Sequence, residues 1–556
     1  MVSSIKGVHE LVELCKLHGV QHVVVSPGSR NAPLSITLEN TNGITTYVVV
    51  DERSAAFFAL GISLATNQPV AIVCTSGSAA LNYAPAVSEA YYQKIPLIVI
   101  TADRPQEWIN QSDGQTIMQH DLYGKHILHS VTLPVIENED TAWMYNRMVN
   151  ESFLKAMGNV KGPVHINVPF KEPLYKTIEK PKTETRVVRV TGDSSIPVDK
   201  LDLAHRISYE QKVLFLVGQS GTFPGIDSQA ETLAAFNQCV VLSETTSNIH
   251  AKGVISTIDR VIDGFTEAEK LDFTPDILVT FGDAIVSKKV KAWIRTHKPK
   301  EHYHIGYEHN VVDTYACLTH WIKGQAHKVL QAILPEIHNN SSVYREKWTN
   351  RVVKMAQKHD AFLAKTPWSD LKAFEKLLKE LPACNLHLGN SSPIRYVQLF
   401  SMAENVQYFG NRGTSGIDGS TSTAAGFSVV NDKLNVLITG DISFYYDSNA
   451  FWNKYLKGNF KIILINNKGG NIFRIIDGPT EDKITEKYFE TKQDMNAEHL
   501  CRQFDVDYVC ARNENELNSV LSVFLKPGSK PALLEIFTDN IQSPQILKDY
   551  FNFLKS

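Results

Sequence analysis

The chain has 556 residues, 43% of them hydrophobic and 21% charged, with a net charge of −3. That length exceeds one core and predicts roughly two to four domains, while the near-neutral balance excludes a global pull towards nucleic acid or an anionic membrane. Seven cysteines, at 15, 74, 239, 317, 384, 501 and 510, form no CxxC pair and no zinc-spaced cluster. The first residues lack a signal peptide's apolar core, and no apolar run approaches membrane-spanning length. A cytoplasmic protein without membrane insertion is expected.

Residues 1–180 read as a first α/β unit. Apolar runs at 22–25, 47–50, 70–74 and 96–100 each precede a polar turn, with helix-length segments between. Such runs predict parallel strands covered by helices on both faces. Their carboxyl ends collect Ser26-Pro27-Gly28-Ser29-Arg30-Asn31, Asp51-Glu52-Arg53, Thr75-Ser76-Gly77-Ser78 and Thr101-Ala102-Asp103-Arg104-Pro105, where open α/β sheets bind ligands. Glu52 opens a segment whose small residues permit close packing. In a helix's first turn, with Asp51 as cap, a glutamate commonly complements the macrodipole.

A linker rich in Lys, Glu, Thr and Pro is expected over 171–200, and a second α/β unit over 195–335, with strands at 213–218, 240–242 and 276–282. Its turns lack the full GxGxxG fingerprint, so no dinucleotide is inferred. Helical, charged sequence follows. A third α/β unit over 365–556 carries strands at 435–439, 461–465 and 532–537. The first two of these end in Gly440-Asp441 and Asn466-Asn467-Lys468-Gly469-Gly470. A carboxylate, a carboxamide and close-approaching backbone make a hard-oxygen set suited to Mg²⁺ or Ca²⁺, completed by ligand phosphate and water. Taken singly, each dipeptide reads as a turn rather than a site.

Together, Gly440-Asp441 and Asn466-Asn467 resemble the signature of thiamine-diphosphate enzymes, with Ile442 in place of the family's last glycine. The resemblance implies three doubly wound parallel-sheet domains: a pyrimidine-binding domain (1–180), a central domain (195–335) and a diphosphate- and metal-binding domain (365–556). In this family a glutamate like Glu52 hydrogen-bonds the cofactor's aminopyrimidine and favours its imino form. The cofactor lies between subunits, so a homodimer or dimer of dimers is implied. Ser26 to Leu34, Thr101 to Pro105 and Gly410 to Gly419 further resemble the 2-succinyl-5-enolpyruvyl-6-hydroxy-3-cyclohexene-1-carboxylate synthases of menaquinone biosynthesis. Those enzymes join 2-oxoglutarate to isochorismate with loss of CO₂, and that branch does not keep the last glycine.

The likeness implies thiamine diphosphate and Mg²⁺ or Mn²⁺ as cofactors, with Asp441, Asn467 and Gly469 holding the metal. Glu52, Ser391, Ile417, Gly440, Asp441, Ser443 and Asn467 would meet the cofactor, with Ile417 as the wedge that bends it. Dicarboxylate substrates call for arginines, whose planar fork binds carboxylate in bidentate fashion. Arg30, Arg104, Arg395 and Arg412 lie in the matching loops. Lys288 and Lys289 would add charge, or form a solvated surface. Gln115 and Ser391 are implied hydrogen-bond donors to substrate or intermediate. Ile472 and Phe473 would wall the substrate ring, or pack the following helix. An acetohydroxyacid synthase, a simple 2-oxo-acid decarboxylase and a non-catalytic thiamine-diphosphate sensor stand as the alternatives.

Overall fold

Long apolar runs with no polar face cannot lie at a water-facing surface, and here they form three parallel sheets flanked by helices. The computed structural model describes residues 1–181, 184–190, 200–220, 225–475 and 482–556. The linker expected over 171–200 lies partly outside the described residues, as does the start, at 195, of the expected central domain.

The first sheet comprises His22–Val25, Thr45–Val48, Val70–Cys74, Leu97–Asp103, His129–Thr132 and Val164–Pro169. Numbered one to six along the chain, these strands lie in the order 2-1-3-4-6-5. The third sheet, from Cys384–Leu388, Val406–Phe409, Asn435–Gly440, Phe460–Asn466, Asp507–Ala511 and Ala532–Phe537, repeats that order. The central sheet runs 2-1-3-4-5 through Val213–Val217, Cys239–Ser243, Ile277–Phe281, Glu301–Ile305 and His320–Ile322. In each, the order reverses between strands one and three, opening a crevice at their carboxyl ends.

One strand ends earlier than its sequence suggests. The ladder between His22–Val25 and Thr45–Val48 stops at Val48. Val49 keeps one bond, from its N–H to the Val25 carbonyl at 3.1 Å, and Val50 then carries the chain to Asp51, whose Oδ1 accepts from the Ser54 N–H at 3.2 Å and caps the helix Glu52–Thr66.

That helix packs on Ser420–Val429 of the third unit at backbone contact. A Cβ on Gly61 would lie 1.9 Å from the Thr423 carbonyl oxygen, and one on Gly426 would lie 1.9 Å from that of Phe58. Each glycine admits the other helix's main chain, so the first and third units share one core containing Phe57, Phe58, Ala424 and Ala425. All seven cysteines are free. Among the described residues no helix is long and apolar enough to cross a membrane.

Candidate active site

The carboxyl ends of strands one, three and four of the third sheet enclose a cavity of about 330 Å³. Ser391, Ile417, Gly440, Asp441, Ser443, Asn467, Gly469, Ile472 and Phe473 line it, bringing nine of the sequence-derived residues together. Asp441 is buried; its Oδ1 accepts from the Ile442 N–H at 2.8 Å and its Oδ2 from Gln493 Nε2 at 2.7 Å. Burial pushes its carboxyl up to about 6, opposed by Gln493 and by backbone N–H groups of Ile442 and Gly469. Asn467 Nδ2 donates to Asp370 Oδ2 at 2.9 Å, which commits the nitrogen of the amide and spares its oxygen.

The rest of the wall is shaped by backbone. Ser391 holds φ 74 and ψ −121, a conformation that costs a non-glycine residue about 1–3 kcal/mol. Ser443 Oγ donates to the Ile417 carbonyl at 2.8 Å and so fixes the loop carrying that side chain. Phe473 leans on Phe489 with ring centroids 5.4 Å apart.

Arg412 reaches the wall of this cavity through Asn390, and Arg395 lies close enough for its charge to act on Arg412. Burial, and for Arg412 also the charge of Arg395, lowers the pKa of each guanidinium. Arg412 Nη1 donates to Asn390 Oδ1 at 2.7 Å, and Asn390 Nδ2 in turn binds the carbonyls of Asn411 and Gly416 at 2.8 and 2.6 Å. The central unit adds Glu244, whose Oε1 accepts from the N–H groups of Val286 and Ser287, both at 3.0 Å. Burial raises the Glu244 carboxyl to about 7. Lys291, not Lys289, senses this group: burial lowers its pKa, Glu244 raises it, and Arg412 and Arg395 lower it. Lys289 instead pairs with Asp263 and lies over the Phe551 ring, and Lys288 is exposed.

The remaining residues gather at the carboxyl edge of the first sheet. Arg30 is buried, donates to the Phe170 carbonyl at 3.1 Å and pairs with Glu172 at 3.2 Å. Arg104 pairs with Asp113 at 3.1 Å and donates to Ser76 Oγ at 3.2 Å and the Gly114 carbonyl at 2.8 Å. Burial and the charge of Arg104 lower the Arg30 pKa, so the two guanidinium groups share a locale. Gln115 is exposed at φ 55, and its backbone closes on Gly77. Glu52 is half-buried, and its charge bears on Cys74 and Tyr83 of the same unit. It does not line the cavity that holds Asp441. Lys288 and Lys289 of the central unit apart, the sequence-derived residues fall into two groups, on different sheet edges of one chain.

Comparison with known proteins finds family matches along most of the chain. Residues 5–124 match the family described as "Thiamine pyrophosphate enzyme, N-terminal TPP binding domain", and 390–536 its "C-terminal TPP binding domain". Residues 221–385 match "Middle domain of thiamine pyrophosphate". A 2-succinyl-5-enolpyruvyl-6-hydroxy-3-cyclohexene-1-carboxylate synthase of Flavobacterium psychrophilum is 42% identical over 98% of both chains. Proteins of the same name from Christiangramia forsetii and Bacteroides thetaiotaomicron are 41% and 38% identical over the whole of both chains. The chain belongs to this synthase family.

The third-sheet cavity fits the cofactor these synthases imply. A Cβ on Gly440 would meet nothing within 4 Å, which leaves a cradle for a ligand. Both polar atoms of the Asn471 side chain are buried without a partner where they line the cavity. Among the described residues no cluster of three or more His, Cys, Asp or Glu could hold a metal unaided. The acid–amide pair Asp441 and Asn467 therefore suits a metal that takes further oxygens from a diphosphate. Asn390, Glu244, Lys291, Asp370 and Gln493 were not singled out by sequence reasoning. Asn390 and Gln493 stand outside the quoted motifs, and their partners Arg412 and Asp441 lie 22 and 52 residues away along the chain.

Proposed function

We propose that this protein is a metal-dependent thiamine-diphosphate carboligase. It decarboxylates 2-oxoglutarate and adds the four-carbon remainder to isochorismate in conjugate fashion, giving 2-succinyl-5-enolpyruvyl-6-hydroxy-3-cyclohexene-1-carboxylate and CO₂ in menaquinone biosynthesis. Thiamine diphosphate, when bound, supplies the electron sink that lets a 2-oxo acid lose CO₂. Asp441, the Asn467 oxygen and Gly469 hold Mg²⁺ or Mn²⁺, and Gly440, Ser443 and Asn471 border the diphosphate. Ile417 would wedge the cofactor and Ser391 would help to position it. Ile472 and Phe473 present an apolar wall to the substrate ring.

The carrying observation is that Arg30, Arg395 and Arg412 each keep a buried Nε–H without an acceptor. Buried unpaired donors are costly and point to a missing acceptor. Substrate carboxylates answer that need in charge, and a substrate lacking one leaves a guanidinium unsatisfied. Lys291 adds charge beside Arg395 and Arg412, and Arg104 beside Arg30. Gln115 and Ser391 supply hydrogen bonds to substrate.

Glu52 hydrogen-bonds the aminopyrimidine and holds it in its proton-accepting form. Because Glu52 and Asp441 lie in separate groups of one chain, the complete site takes Glu52 from one copy and Asp441 from another. Val48, Val50, Tyr446 and Trp452 are exposed beside the start of the Glu52 helix, an apolar surface suited to a second copy in a homodimer or dimer of dimers. Seven free cysteines support a cytoplasmic location.

The test follows isochorismate absorbance with 2-oxoglutarate, thiamine diphosphate and Mg²⁺, beside Glu52→Gln. Isochorismate is consumed only with every component present, and the variant binds cofactor but loses turnover. Release of CO₂ with isochorismate untouched would reject the acceptor. Cofactor binding with neither change would favour a sensor.

A further inference from the structure

Asp370 lies in none of the motifs that mark the site, yet it lines the same cavity as Asp441 and Asn467. It is the first residue of the helix Asp370–Lys379, follows the capping Ser369 and is 1% exposed. Its Oδ2 accepts from Asn467 Nδ2 at 2.9 Å, and its Oδ1 accepts from Thr538 Oγ1 at 2.5 Å. Its backbone N–H donates to Ser543 Oγ at 3.0 Å. The carboxylate is thus held between the helix start, the end of the Ala532–Phe537 strand and the start of the C-terminal helix.

Burying a carboxylate merely to receive a threonine hydroxyl is a costly choice, since an amide oxygen would accept that bond without charge. What an amide cannot do is refuse to donate. An asparagine side chain has nearly the same shape with its oxygen and nitrogen exchanged, and the wrong orientation would offer N–H groups to a cation. An ionised carboxylate only accepts, so it selects the NH₂ of Asn467 and leaves Oδ1 as the atom free to face the cavity.

We propose that Asp370 is a positioning residue that fixes the amide of Asn467 with its oxygen towards the metal. This rests on the reading of Asp441 and Asn467 as metal ligands. Outer partners of this kind commonly change metal affinity by about 10- to 100-fold when lost.

The measurement is Mn²⁺ binding in the presence of thiamine diphosphate, from the electron paramagnetic resonance of free Mn²⁺, with no turnover required. Asp370→Asn keeps the shape and the Thr538 bond but permits the flipped amide, and its Mn²⁺ affinity should fall about tenfold or more. The exchange Asp370→Asn with Asn467→Asp reverses donor and acceptor while keeping an oxygen for the metal. It should bind Mn²⁺ several-fold more tightly than Asp370→Asn alone. Because the added carboxylate at 467 attracts a cation by itself, the exchange is also compared with Asn467→Asp alone: Asp370→Asn should cost no Mn²⁺ affinity in that background, and a cost as large as in the wild-type background, the mark of a purely structural Asp370, overturns the proposal. So does wild-type affinity in Asp370→Asn when Asp441→Ala has lost Mn²⁺. If Asp441→Ala itself binds Mn²⁺ normally, the ligand assignment fails instead.

Discussion

Replacing Gly440 by alanine separates what the protein needs to fold from what the cavity needs to bind. At Gly440 the backbone has φ −88 and ψ 162, open to any residue, and an added Cβ meets no atom within 4 Å. A glycine-to-alanine change at such a position stabilises by about 0.4–1 kcal/mol, because the unfolded chain loses freedom. The same methyl occupies the cradle assigned to the diphosphate. Forcing a group into occupied space costs about 1–3 kcal/mol, or about 5- to 150-fold in affinity. Urea unfolding without cofactor should therefore show an equal or higher midpoint, while titration calorimetry with thiamine diphosphate and Mg²⁺ shows weaker binding. Wild-type affinity in this variant would refute the assignment of the cradle.

Gly61→Ala should do the opposite. Its methyl would sit 1.9 Å from the Thr423 oxygen, so the urea midpoint should fall by the equivalent of about 1–3 kcal/mol or more; an unchanged midpoint would contradict the backbone contact of the two helices. Glu244 supplies a pH test, since its carboxyl rises from about 4.5 to about 7 on burial. Between those values the folded state binds more protons, so stability falls as pH rises through the window, by on the order of 3 kcal/mol in all. Glu244→Gln should narrow the difference between urea midpoints at about pH 5 and about pH 8, and an unaltered difference would show that another group carries it.

What the sequence made legible follows from burial. Strands such as Val70–Cys74 and Phe460–Asn466 are apolar along nearly their whole length and stand out. Cys384–Leu388 does not, because it buries Asn385 and His387; Asn385 Nδ2 bonds Asn435 Oδ1 at 3.0 Å on the neighbouring strand. Glu301–Ile305 hides in the same way, with His302 and His304 both meeting Thr280 Oγ1, at 2.8 and 3.0 Å. Cross-strand bonds satisfy Asn385, His302 and His304, while His387 stacks against Phe409, and hydrophobic patterning cannot register a partner on another strand.

The site divides likewise. Asp441, Asn467, Arg30, Arg104 and Arg412 stand at or just beyond strand ends, where position alone suggests a ligand, and Arg395 lies in the short helix that follows one. Glu244 and Asp370 act through partners supplied by distant segments. Lys291 was legible only with the helix phase in hand. Two residues along a helix is about 200° of rotation, which sends Lys289 to Asp263 and Phe551 while Lys291 donates to the Ile285 carbonyl, within reach of the Glu244 charge.

The reciprocal glycine contact between Glu52–Thr66 and Ser420–Val429 sets a schedule for synthesis. About 350 residues separate the two helices along the chain. At about 5–20 residues per second, the first helix leaves the ribosome roughly 20–70 s before its partner exists. Throughout that interval the Phe57 and Phe58 side of the helix, buried in the finished fold, lacks its covering helix. The nascent first unit is then at its most vulnerable to sticking to another chain, and no rearrangement of the unit alone can shield it, because the surface that fits Gly61 has yet to be translated.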